Sequence, residues 1–129
     1  MPKAYVFTRY GGPEAEAFVD QPRPTPGPGQ LLVAVRAAGV NPVDWKQRSG
    51  HARPGQSARE LPAVFGNEVA GVVEQAGPDV TGFAVGDEVF GNPVAGGYAE
   101  YALLPATVTA HKPQEDGHAQ GKIVIEVGA

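Results

Sequence analysis

The segment Asn41-Pro42-Val43-Asp44-Trp45-Lys46 gathers an amide, a carboxylate, an indole and an amine into one short stretch. An amide can donate to a carbonyl oxygen, an amine can favour developing negative charge, and an indole offers a flat platform for an aromatic ligand. The same residues also have a structural reading. Asn41 is a good helix N-cap, Pro42 suits the first helical position, and Asp44 is favourable in the first turn. Trp45 is more often a packing residue than a platform, and a lysine such as Lys46 on a short exposed helix is usually solvated. From the sequence alone, both readings stay open. Glu68, a carboxylate at the head of an apolar run, reads as a leftover metal ligand or, the favoured reading, as a partner for an arginine or lysine, because a carboxylate beside a core strand needs compensation.

Composition narrows what that chemistry acts on. With 10 basic against 14 acidic residues and a net charge of -4, the chain lacks the clustered lysine and arginine that phosphate backbones demand, so no nucleic-acid partner is expected. It has no cysteine, which removes disulfides and thiolate metal ligands and fits a reducing cytoplasm. The three histidines, His51, His111 and His118, have no pair spacing that would build a metal site, so no metal ligands are expected. No stretch approaches a membrane span, and the N-terminus has no apolar run of signal-peptide length. The expectation is one cytoplasmic domain, since 129 residues are too few for two comfortable cores.

The elements that must position these residues are mostly strands. The 18 glycines and 13 prolines sit between apolar runs and punctuate turns, rather than forming one low-complexity tract. Strands are predicted at 4–7, around 17–19, at 30–38, 68–74, 87–90, 98–103 and 122–127. Residues 30–38 form a nearly continuous apolar run and are expected to be buried on both faces. One or two helical turns are predicted from Asn41 to Arg48, and a surface loop from Ser49 to Glu60. The proline-rich stretch 22–29 reads as a stiff connector more readily than as a polyproline ligand for a recognition domain. Several short strands with almost no helix predict a mainly β domain, a barrel or a sandwich.

In succession, the motifs are more specific than any one of them. Gly39-Val40-Asn41-Pro42-Val43-Asp44-Trp45-Lys46 precedes Leu61-Pro62-Ala63-Val64-Phe65-Gly66-Asn67-Glu68-Val69-Ala70-Gly71. Then come Gly77-Pro78-Asp79-Val80, Val85-Gly86-Asp87-Glu88-Val89 and Gly96-Gly97-Tyr98-Ala99-Glu100-Tyr101. This order resembles the catalytic domain of the medium-chain dehydrogenase/reductase superfamily, in its zinc-free quinone oxidoreductase branch. The resemblance runs from about Ala4 to Pro113. It implies a GroES-like, partly open β-barrel and a parent enzyme that passes hydride from NADPH to a quinone or other conjugated carbonyl.

Carried onto this chain, the resemblance implies Asn41, Asp44 and Lys46 as catalytic residues. Tyr5, Trp45, Gly97 and Tyr98 would be substrate-binding, and Asn41, Pro42 and Lys46 cofactor-binding. Where the zinc-dependent alcohol dehydrogenases of the superfamily have a cysteine and a histidine, this chain has Asn41 and Asn67, so no catalytic zinc is expected. The superfamily also inserts a dinucleotide-binding domain before its last barrel strand. Here 1–113 resembles the barrel domain, 117–129 resembles its C-terminal return, and only 114–116 join them. No G-x-G-x-x-G follows a strand, and there is no room for a βαβ unit of ~30 residues. The chain alone is therefore expected to bind no cofactor, to hold a quinone or enone weakly, to be inactive, and to self-associate through surface that once faced the second domain. The alternatives are a GroES-like interaction or oligomerisation module without catalysis and, less favoured, a zinc alcohol dehydrogenase domain.

Overall fold

A computed structural model describes residues 2–50 and 61–112, together with the backbone of 124–126. His51, His118, most of the expected 49–60 loop, the 114–116 junction and most of 117–129 lie outside the described residues. The chain order is β1 (Lys3–Phe7), β2 (Glu16–Asp20), β3 (Gln30–Gly39), α1 (Pro42–Arg48), β4 (Ala63–Val64), β5 (Val69–Ala76), β6 (Glu88–Gly91), β7 (Tyr101–Pro105), β8 (Ala110–His111) and β9 (Val124–Glu126). Short 3₁₀ turns lie at Pro13–Ala15 and Ala106–Val108. The mainly β expectation with a short helix is borne out.

All strand pairings among the described residues are antiparallel. A three-stranded sheet runs β2-β1-β4, and a second sheet runs β7-β3-β5-β6-β8, with β9 also on β3. The apolar run of β3 makes it the organising strand. One of its edges takes β5; the other takes β7 along residues 30–34 and β9 along 37–39. The two sheets meet where the chain passes residues 98–100. Ala4 bridges Ala99, and the Tyr5 N–H donates to the Tyr98 carbonyl at 2.7 Å. The Glu100 N–H donates to the Lys3 carbonyl at 3.1 Å, while its own carbonyl accepts from the Val35 N–H at 2.9 Å. Two sheets stitched along this line make a barrel that is partly open.

Packing follows from the period-2 alternation of the strands. Leu31, Val33, Val73, Val89 and Leu104 are fully buried in one cluster of the larger sheet. Phe7, Ala15, Ala63 and Phe65 form a second cluster beside α1. Three departures from the sequence reading have physical causes. Arg36 is exposed, because the β3–β5 register shifts between Val35 and Ala37 and turns that position outward. Tyr98 precedes β7 instead of starting it, because its backbone serves the seam between the sheets. The two-residue strands β4 and β8 leave too short a pattern to be read from sequence.

Removal of the central leucine should expose the dependence on β3. Leu31→Ala is expected to cost about 2–5 kcal/mol, as buried leucine truncations do. Val85→Ala, at a side chain 70% exposed, should stay within about 0.5 kcal/mol of the parent. Urea denaturation measures both.

Candidate active site

The helix α1 begins as its residues dictate. Asn41 holds extended backbone angles, φ -130° and ψ 151°, and Pro42 opens the helix. The Asp44 carboxylate reaches back to accept the Asn41 N–H at 2.9 Å through Oδ2, one half of a capping box. Asp44 is buried, only 6% exposed. A carboxylate taken out of water must be satisfied by donors, and here they converge. The Asn67 side-chain amide donates to Oδ1 at 2.6 Å, and the Tyr98 hydroxyl donates to Oδ2 at 3.1 Å. Both oxygens are therefore engaged.

Each donor is itself held. Asn67 also donates to the Gln47 Oε1 at 3.3 Å, so it ties two turns of α1 together. Its carbonyl accepts from the Asn92 amide at 2.6 Å, linking the helix to the segment after β6. Gly66 sets up this turn with φ +100°, and a Cβ there would lie 2.6 Å from the Tyr98 ring. Glycine is needed at that place both for the left-handed backbone and for the aromatic contact. The Tyr98 ring stacks on Phe65 with centroids 6.0 Å apart, and Phe65 stacks in turn on Tyr5 at 5.6 Å. Burial pushes the Tyr98 phenol well above the usual tyrosine range, and the charge and hydrogen bond of Asp44 push it further, with Glu68 adding a smaller charge effect.

The other expected site residues lie around this hub. Trp45 is half exposed on the open side of α1, and the Lys46 amine lies over its ring, 5.7 Å from the centroid. Gly97 is buried, its N–H donating to the Phe65 carbonyl at 2.8 Å. Tyr5 donates to the Glu16 Oε1 at 2.5 Å, and Arg48 of α1 pairs with the other Glu16 oxygen. The hydrogen bond to Glu16 is the main reason the Tyr5 phenol is raised, with burial second. The structure thus brings Asn41, Asp44 and Tyr98 together and sets Trp45 and Lys46 on the outer face. The contacts of Gln47 and Asn92 have no counterpart in the sequence analysis, where Asn67 stands only at the place of a zinc ligand. Nothing in their spacing announces contacts across 20 or 25 positions.

A partly open antiparallel barrel with this helix at its seam is the architecture of a GroES-like domain. Residues 27–114 match the alcohol dehydrogenase GroES-like domain model, and the chain belongs to that family. The quinone oxidoreductase of Lama guanicoe is 43% identical over 125 residues, covering 95% of this chain and 37% of that protein. The quinone oxidoreductase of Pseudomonas aeruginosa is 37% identical over 130 residues, covering 99% of this chain and 38% of that one. Among solved structures, mycobacterial Rv1454c complexed with NADPH matches with a TM-score of 0.78 at 43% identity, over 89% of this chain and 33% of that chain. The chain spans little more than a third of the length of the curated relatives it matches. The resemblance drawn from the motifs is borne out at the level of this domain family.

The raised Tyr98 phenol has a consequence for pH. A folded-state value above the unfolded one adds stability that is complete below the unfolded tyrosine range, about pH 10, and is lost as pH rises from there through the folded value. Tyr98→Phe is expected to abolish the highest-titrating phenol in an ultraviolet titration. It should also cost about 1–3 kcal/mol at neutral pH, since Asp44 loses a donor. An unchanged titration curve would contradict the burial and contacts described.

Proposed function

We propose that this chain is the substrate-side domain of an NADPH-dependent oxidoreductase acting on quinones or other conjugated carbonyls, and that alone it does not turn over. The observation that carries the reading is the Asp44 clamp, which fixes the start of α1 while Trp45 and Lys46 stay open to solvent. The similarity to quinone oxidoreductases, and to a protein complexed with NADPH, supports it. When bound, the nicotinamide supplies the hydride. Asn41 and Pro42 would border its carboxamide, with the Asn41 amide donating to a carbonyl oxygen. Lys46 would favour an enolate oxygen or a cofactor phosphate. Trp45 would offer the aromatic substrate a platform, with Tyr5, Gly97 and Tyr98 as the further substrate-side residues. Asp44 is a positioning residue in this reading, because it is buried and its three donors all come from within the fold.

Zinc does not fit the donor set. Asn41, Asn67 and Glu68 offer two amides and one carboxylate where catalytic zinc takes about three ligands from Cys, His and carboxylate. The Asn67 amide nitrogen is also engaged with Asp44 and Gln47. Residues 1–113 and 117–129 are read as one domain joined by 114–116, and the pairing of Val124–Glu126 with Ala37–Gly39 supports that join. The exposed Phe90 and Val108 make weak self-association part of the same reading. The absence of cysteine fits a cytoplasmic setting. Among the described residues, no helix is long and apolar enough to cross a membrane.

Without a glycine-rich phosphate turn, most of the affinity for the dinucleotide is missing, and so is the orientation that is worth ~7–11 kcal/mol in well-positioned reactions. Isothermal titration of the chain with NADPH, with and without a quinone, is expected to give no binding tighter than the millimolar range. Micromolar binding, or turnover in a dye-reduction assay at a rate typical of enzymes, would sink the half-site reading.

A further inference from the structure

On the larger sheet, a pocket of about 400 Å³ opens between walls that include Val69, Phe90, Val108 and Ala110. Among the described residues of its lining, Glu68 is the one that is charged and Asn92 the one with an uncharged polar side chain. None of these residues is among those assigned above to substrate or cofactor. Phe90 and Val108 are 44% and 62% exposed, so ring and aliphatic surface face whatever enters.

The polar groups define what can enter. Glu68 lies across Gly39, where a Cβ would fall 2.1 Å from its Oε1, so the missing side chain makes the cradle that seats the carboxylate. A carboxylate accepts about four hydrogen bonds and donates none, so it still accepts from a ligand beside any contact it already has. Asn92 commits one amide hydrogen to the Asn67 carbonyl at 2.6 Å, which orients the amide; its other hydrogen can donate and its oxygen can accept. Asn92 serves either kind of ligand, so the choice falls to Glu68: its half-buried carboxylate gains from a ligand that donates and repels one that carries only carbonyl or carboxylate oxygens.

We propose that this pocket binds a small aromatic molecule bearing a hydrogen-bond donor, a phenol or an arylmethylammonium, with the donor on Glu68 and the ring against Phe90. A hydroquinone belongs to this class and a quinone, with acceptors alone, does not. The pocket would therefore favour the reduced over the oxidised form of the substrate class proposed above. The binding inference itself stands on the pocket and does not depend on that reading.

Titration of the full chain by amide-resolved NMR, at concentrations where light scattering gives the monomer, tests it with phenol, benzylamine and anisole. Phenol and benzylamine should give saturable shifts at Gly39, Val69 and Gly91, and anisole should bind about tenfold more weakly, the loss expected for one hydrogen bond to a charged group. Glu68→Leu should bring both donors down to the anisole level. Gly39→Ala, which displaces the carboxylate and keeps the apolar walls, should do the same. Equal affinity for anisole and phenol, or no saturable shift at these residues, would overturn the proposal whether or not the variants fold. Retention of the donor preference in a folded Glu68→Leu would overturn the role of that carboxylate.

Discussion

The buried carboxylate of Asp44 is the constraint on which the seam of this fold depends. Removing an ionised group from water is costly unless donors replace the lost hydration. Here the donors come from three separate stretches: the start of α1, the turn before β5 and the segment before β7. None of these stretches can move without uncovering the charge. The helix is only seven residues long, too short to be stable by itself, so its position is set by this tertiary bonding. A local need for charge satisfaction thereby becomes a global restraint on the face that carries Trp45 and Lys46.

The strands serve that restraint. β3 delivers the chain to Asn41, β5 leaves from Glu68, and the seam at residues 98–100 brings Tyr98 back between them. The aromatic row Tyr5–Phe65–Tyr98 continues from the hub toward the smaller sheet. Polar satisfaction and ring packing thus converge on the same tyrosine, whose hydroxyl meets the carboxylate while its ring meets Phe65. In this geometry the polar network fixes the position of α1 and leaves Trp45 and Lys46 outward.

Much of this was legible in the sequence, for reasons that differ by element. The helix start was readable because its signals are local: an asparagine cap, a proline and an acid within one turn. β3 was readable from its apolar run, although the outward turn of Arg36 was not, since a bulge depends on the register of the partner strand. The roles of Asn67, Gln47 and Asn92 were not readable, because each rests on a contact that only the folded chain creates. Tyr98 stands in a motif that the sequence offers, yet its link to Asp44 spans 54 positions and leaves no periodic trace. Sequence patterns report what neighbours along the chain impose, and a site assembled across the sheet seam is visible there only as a resemblance.

The most direct test of Asp44 as the hub is a double-mutant cycle in stability, pairing Asp44→Asn with Tyr98→Phe. If the hydroxyl acts by satisfying that carboxylate, the two losses should be non-additive, with a coupling energy of about 0.5–3 kcal/mol. Additive losses within about 0.3 kcal/mol would mean that the two groups act independently, and the seam would have to be held by packing alone.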